Sequence, residues 1–375
     1  MFKRAAHNSS TLGLRARWAL FLLLGVLVII AGRPLFYAGW PASAGDFWAV
    51  LAVAVFLAQF SLLWFDLPQN TSLKDGRLLP GFGLGTWVSL LRVLALALLA
   101  GFLWPPRPEG WLAWVPFVLY LFFNLADLAD GYAARVSGTA TALGGKLDLQ
   151  LDGRGLLVAT LLAYRYGVVG WWFLLVGLAR YMFVFAAWVH RRLGGTFELR
   201  PNSLRRPLAG AQMGIGVALL APQLPEAVSL FASTFSLFPF AGNFFFDWLA
   251  ASGRLRIGES GQQSNAREAL LNGGLFLARV VLALSIVMRV ANQQFDAYSA
   301  LDIILGFVLL LGLAGRLAAF ALLVETGFRL QGQALQTMDS AILTIGMVLL
   351  YLGAGAVSWR PLKEGWIFRY WGAQR

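Results

Sequence analysis

Long apolar runs separated by short polar breaks organise this chain almost from end to end. In order they cover positions 18–32, 47–65, 86–103, 111–126, 147–162, 168–189, 208–221, 227–249, 275–288, 300–324 and 341–357. A helix rises about 1.5 Å per residue and a bilayer core is about 30 Å thick, so about 20 apolar residues make one crossing. The 300–324 run contains Gly315-Arg316, and the pattern predicts two short helices turning at that point. Two helices return Arg316 and the basic tail (Arg360, Lys363, Arg369, Arg375) to one side, whereas a single helix would put the tail on the other. The expected fold is all-α and polytopic, with about twelve helices. Three segments are expected: a two-helix extension over 1–83, a six-helix core over 84–268 and a C-terminal membrane module over 269–375. The polar stretches near 66–83, 190–206 and 252–268 are too short to be soluble domains.

Composition agrees with the pattern. Hydrophobic residues make up 59% of the chain and charged residues 13%, with mean hydropathy +0.68, which is the balance of a membrane protein. The absence of cysteine removes disulfides, thiolate chemistry and zinc-cysteine sites. His7 and His190 are the only histidines, too few for a histidine-based metal centre. A net charge of +12 would suggest nucleic acid in a soluble protein, but no nucleic-acid partner is expected here. The basic residues sit in short loops instead. Lys74, Arg77, Arg135, Lys146, Arg191, Arg192, Arg200, Arg205, Arg206, Arg254, Arg256 and Arg267 fall on one expected side, against Arg107 and Arg165 on the other. The positive-inside rule makes the first side cytoplasmic. Lys3, Arg4, Arg15 and Arg17 precede the first run, which reads as a retained anchor; Ala42-Ser43-Ala44 lies too far beyond it for a cleavage site.

One segment breaks the oily pattern. Between positions 127 and 152 the chain reads Asp127-x2-Asp130-Gly131-x2-Ala134-Arg135-x8-Gly144-x3-Asp148-x3-Asp152, holding four of its eleven aspartates. Helical spacing puts Asp127, Asp130 and Ala134 on one face, and Asp148 and Asp152 on one face of the next helix. Gly131 leaves room for a ligand or a backbone to come close. Two carboxylates at ~4 Å repel by about 4 kcal/mol at an effective dielectric near 20, so facing acids need a cation between them. Oxygen-only donors favour Mg²⁺ or Mn²⁺, and paired divalent ions are common equipment for phosphoryl transfer. A solvated helix face with surface ion pairs would also place acids at these intervals. The segment has only Arg135, Lys146 and Arg154 to pair them, however, and apolar runs flank it.

The segment resembles the signature of the CDP-alcohol phosphotransferase family, with every defined position present across 26 residues. Residues 86–92 resemble the opening of that family's first core helix, and Arg205-Arg206-Pro207 resembles its basic entry to a later one. The resemblance implies a six-helix membrane core that passes a phosphoryl-alcohol unit from a CDP-linked alcohol to a hydroxyl and releases CMP. It implies that Asp127, Asp130 and Asp148 hold the metal ions, about two of Mg²⁺ or Mn²⁺, with Asp152 sharing that site or serving as base. By position along its helix, Asp152 lies deepest and suits the base. Gly131, Ala134, Arg135 and Gly144 would accommodate the cytidine and pyrophosphate.

The expected donor is CDP-diacylglycerol and the expected acceptor a small polar alcohol; a soluble CDP-alcohol with a lipid hydroxyl would use the same motif. Arg180, Arg205 and Arg206 are candidates for binding a phosphate carried by the acceptor, although loop arginines also serve orientation and headgroup binding. Arg92 is expected either to reach the interface with its head group or to contact phosphate. Membrane lipids are expected partners, and a homodimer is left open. A cation pathway or a catalytically idle subunit would explain acids in a membrane, but not the spacing of Gly131, Ala134, Arg135 and Gly144. In the C-terminal module, Arg279, Asp302, Gly306, Gly312, Arg316 and Leu317-Ala318-Ala319 resemble a DoxX-type four-helix module.

Overall fold

A computed structural model describes residues 2–37, 40–197, 205–252, 261–292, 296–330, 333, 336–353 and 355. Arg200, Arg254, Arg256 and the basic tail at Arg360, Lys363, Arg369 and Arg375 lie outside the described residues, as do the side chains of Arg206 and Arg267. Among the described residues the fold is all-α, with twelve α-helices joined by short turns. Seven helical stretches are long and apolar enough to cross a bilayer, and leucine, phenylalanine and valine side chains cover their outward surfaces. The chain is an integral membrane protein. It divides into two compact units.

The first unit, Met1–Gly167 with Leu220–Pro222, contains α1 (Phe2–Gly32), α2 (Ala42–Asp66), α3 (Leu84–Ala100), α4 (Val115–Val136) and α5 (Ala142–Arg165). Stacked aromatics join α1 to α2, with Phe21 and Phe60 rings 5.7 Å apart and nearly parallel. Helix α3 is the axis of the unit. Its buried stripe runs through Leu90, Val93, Leu96 and Ala97, and it packs most extensively against α4. That approach depends on Gly85: a Cβ there would lie 2.7 Å from the Asp130 carbonyl oxygen and 2.7 Å from the Ala134 Cβ. Pro116 in the first turn of α4 needs no N–H partner, and Gly138, at φ 64°, turns the chain towards α5 after α4 has ended. The Thr141 hydroxyl caps α5 by accepting from the Gly144 N–H.

The polar break before α3 is ordered against that turn. Antiparallel bridges pair Thr71 with Leu78 and Ser72 with Thr141. The buried Asn70 amide donates to the carbonyls of Leu79 and Gly81, and Lys146 on α5 reaches Asp66 at 2.6 Å.

The second unit, Val168–Leu219 with Gln223–Arg375, contains α6 (Leu174–Arg192), α7 (Arg205–Leu219), α8 (Glu226–Ala251), α9 (Gly261–Ala291), α10 (Ala297–Leu310), α11 (Gly315–Arg329) and α12 (Thr337–Leu352). Helices α9 to α12 pack on one another. The 300–324 run divides into α10 and α11, as the pattern predicts, but the turn comes at 311–314, just ahead of Gly315-Arg316. Ala314 there takes the left-handed conformation, φ 43°.

Candidate active site

Helices α3, α4 and α5 bring the acidic segment to one point. Asp127 and Asp130 stand one turn apart on α4, Asp148 and Asp152 one turn apart on α5, and all four carboxylates converge on Arg92 of α3. The Arg92 Nη1 lies 2.7 Å from Asp127, 2.9 Å from Asp130 and 2.8 Å from Asp148, while Nη2 lies 2.7 Å from Asp152. The guanidinium is fully buried, 4.7 Å over the Phe123 ring. The expectation for Arg92 is therefore corrected. It does not snorkel to the interface, but fills the centre of the acids' cage. Its position in an apolar run facing four acids was the available signal, though the run alone does not fix which way its side chain turns.

Burial grades across the cage. The Asp130 side chain is 7% exposed and takes a further hydrogen bond from the Ser89 hydroxyl at 3.0 Å; Asp148 is 46% exposed and Asp152 34%. The cage thus has a closed wall at α3 and α4 and an open side at α5. Gly131 and Ala134 continue the α4 face above it, half-buried, and the exposed Arg135 side chain folds back so that its Nη1 would lie 3.2 Å from a Cβ at Gly131. Gly144, in the first turn of α5, faces the Thr86 hydroxyl, 3.6 Å from where a Cβ would stand.

The donor set suits a hard divalent cation. Asp127, Asp148 and Asp152 can each present an oxygen within 4.8 Å of the others. One guanidinium against four carboxylates leaves the cage strongly negative, which is the condition for holding more positive charge.

The proposed acceptor arginines belong to the second unit. Arg205 pairs with Asp247 at 3.0 Å, Arg180 is half-buried on α6, and the Arg206 side chain lies outside the described residues.

Residues 83–240 match the family model of CDP-alcohol phosphatidyltransferases. Over that stretch the chain is similar to a class of membrane transferases that act in lipid synthesis by transferring a phosphatidyl group from a CDP-alcohol. The match spans α3 to most of α8 and includes the whole four-aspartate cage. No curated protein and no solved structure matches the chain.

Proposed function

We propose that the protein transfers a phosphatidyl group from CDP-diacylglycerol to the hydroxyl of a small polar alcohol at the α3–α4–α5 cage, releasing CMP into the cytoplasm. The observation that carries this reading is the convergence of all four signature aspartates on one cationic position within a matched transferase domain. Asp127, Asp130, Asp148 and Asp152 would hold divalent ions, Mg²⁺ or Mn²⁺; of these, Asp127, Asp148 and Asp152 can bring an oxygen within 4.8 Å of one another. When bound, such ions withdraw charge from the pyrophosphate and stabilise the leaving CMP.

The chain's own residues do the rest. Arg135 offers its guanidinium fork to the pyrophosphate, and Gly131, Ala134 and Gly144 leave space for the nucleotide to lie against the helix turns. Asp152, on the open side of the cage, takes the proton from the acceptor hydroxyl as its oxygen attacks phosphorus. Asp130, enclosed and held by Ser89 and Arg92, fixes the shape of the closed wall. Arg180, Arg205 and Arg206 are proposed, by their basic charge, to bind a phosphate carried by the acceptor.

The test is CMP release from CDP-diacylglycerol by the purified protein in detergent, with Mg²⁺, Mn²⁺ or chelator, across a panel of plain and phosphorylated alcohols. Divalent-dependent release with at least one alcohol is expected. Release from a soluble CDP-alcohol in the presence of diacylglycerol, with none from the CDP-lipid, would reverse donor and acceptor. No CMP from either donor at saturating metal rejects the proposal.

A further inference from the structure

A second buried ionic cluster lies in the C-terminal helices, outside the matched domain. Arg289 of α9, Asp302 of α10, Glu325 and Thr326 of α11 and Asp339 of α12 are each at most 4% exposed, and Arg329 of α11 closes the group towards its rim. Ionisable groups this enclosed among membrane helices are costly, and uncompensated ones more so. Among the described residues the cluster sets three buried carboxylates against two guanidiniums, leaving one negative charge in excess.

The hydrogen bonds say where that excess rests. Both Asp302 oxygens are taken, one by Arg289 and the other by Arg329 at 2.6 Å. Asp339 accepts from Arg289 at 3.4 Å and from the Gln336 N–H at 3.1 Å in the capping box of α12. Glu325 Oε2 receives Arg289 at 3.3 Å and the Thr326 hydroxyl at 3.2 Å. Among the described residues Glu325 Oε1 is buried without a hydrogen-bond partner, and the Arg329 guanidinium stands 3.8 Å from it. Helix α8 brings no compensating charge, since it meets this end of α11 and α12 through Val228 and Phe231. A polar path leads outward from the cluster: Arg329 contacts Ser299 at 3.1 Å, and Ser299 donates to the half-exposed Asp296 at 2.7 Å.

We propose that Glu325 is the proton-binding group of a second site in this protein, taking H⁺ from bulk water by way of the Asp296–Ser299–Arg329 rim and holding it on Oε1 inside the α9–α12 bundle. The neutral acid removes the excess charge and leaves both arginines matched by Asp302 and Asp339. Loss of the proton returns a like charge beside Asp302 and loosens α10 against α11, so the bundle's packing follows pH.

The test is pH-difference infrared spectroscopy of the full-length protein in detergent, compared with Glu325→Gln, which keeps the shape of the neutral acid; Glu325→Met, neutral and of similar length, serves as a second variant. Subtracting either variant from wild type cancels the α3–α5 cage. The expected difference is one protonated carboxyl C=O band that titrates in wild type and is missing from both variants. Melting should show the same group: wild type loses stability as pH rises through that titration, and Glu325→Gln loses less. If the difference contains no acid band across the pH range in which the protein is folded, the cluster is a fixed ion-pair network and the proposal falls. A band that survives in both Glu325 variants and vanishes in Asp302→Asn places the proton on Asp302, which also overturns the assignment.

Discussion

At Arg92 a single guanidinium meets four carboxylates within 2.9 Å, and each residue of the cage has a separable consequence. Arg92→Met leaves like charges facing one another in a buried site, at a cost of about 3–5 kcal/mol. A divalent ion can supply the missing charge, so Mg²⁺ should raise the melting temperature of Arg92→Met more than that of wild type. Equal increments in a thermal melt with chelator and with Mg²⁺ would contradict this role. Asp127→Asn, Asp130→Asn and Asp148→Asn keep shape while removing charge, and each should lower divalent-dependent CMP release by about 100-fold or more. Near-normal turnover in two of the three at saturating Mg²⁺ removes them as ligands. Asp152→Asn should abolish transfer yet leave CDP-lipid binding largely intact, because binding needs no proton removal. If equilibrium binding disappears together with turnover, Asp152 is a ligand first and the base lies elsewhere.

Helices hold these residues in register, and Gly85 is where that register is most exposed to test. A β-branched side chain there meets backbone and Ala134 at 2.7 Å on α4, and neither can rotate away. Gly85→Val should therefore push α3 off α4, draw Arg92 away from Asp130, and cost both melting temperature and CMP release. Gly145→Ala on α5, where nothing lies within 4 Å of the new methyl group, is the matched control and should change little. A Gly85→Val protein as stable and active as that control would show that the close approach is dispensable. Sequence pattern foresaw the helices themselves, since apolar run length reports directly on burial and bilayer crossing. It missed the ordering of the break after α2, where Asn70 holds the Leu79 and Gly81 carbonyls and Lys146 reaches Asp66, because backbone carbonyls and a single ion pair 80 positions apart leave no period in the sequence.

For the whole molecule, the distribution of arginine and lysine predicts sidedness. A reporter inserted near Arg200 or fused to the C-terminus should report the cytoplasm, and one near Arg107 the opposite side. An exchange of the Arg200 and Arg107 signals would turn the cage away from cytosolic nucleotide; an external C-terminus alone would count against separate crossings by α10 and α11. The sequence by itself determined the membrane class, the helix count and the eight signature positions, because hydrophobic run length and residues three or four apart on neighbouring turns are local properties. It also placed four acids on two helix faces, which demands a cation. Tertiary structure alone decided which cation the chain supplies. Arg92 is 38 positions from Asp130 and 60 from Asp152, and the rotation of α3 that turns it inward is set by Gly85 and the packing of α4. The same holds at the other end of the chain, where Arg289 meets Asp302, Glu325 and Asp339 from three further helices. Charges spread over distant helices carry no shared period, so only the packed bundle shows that they meet.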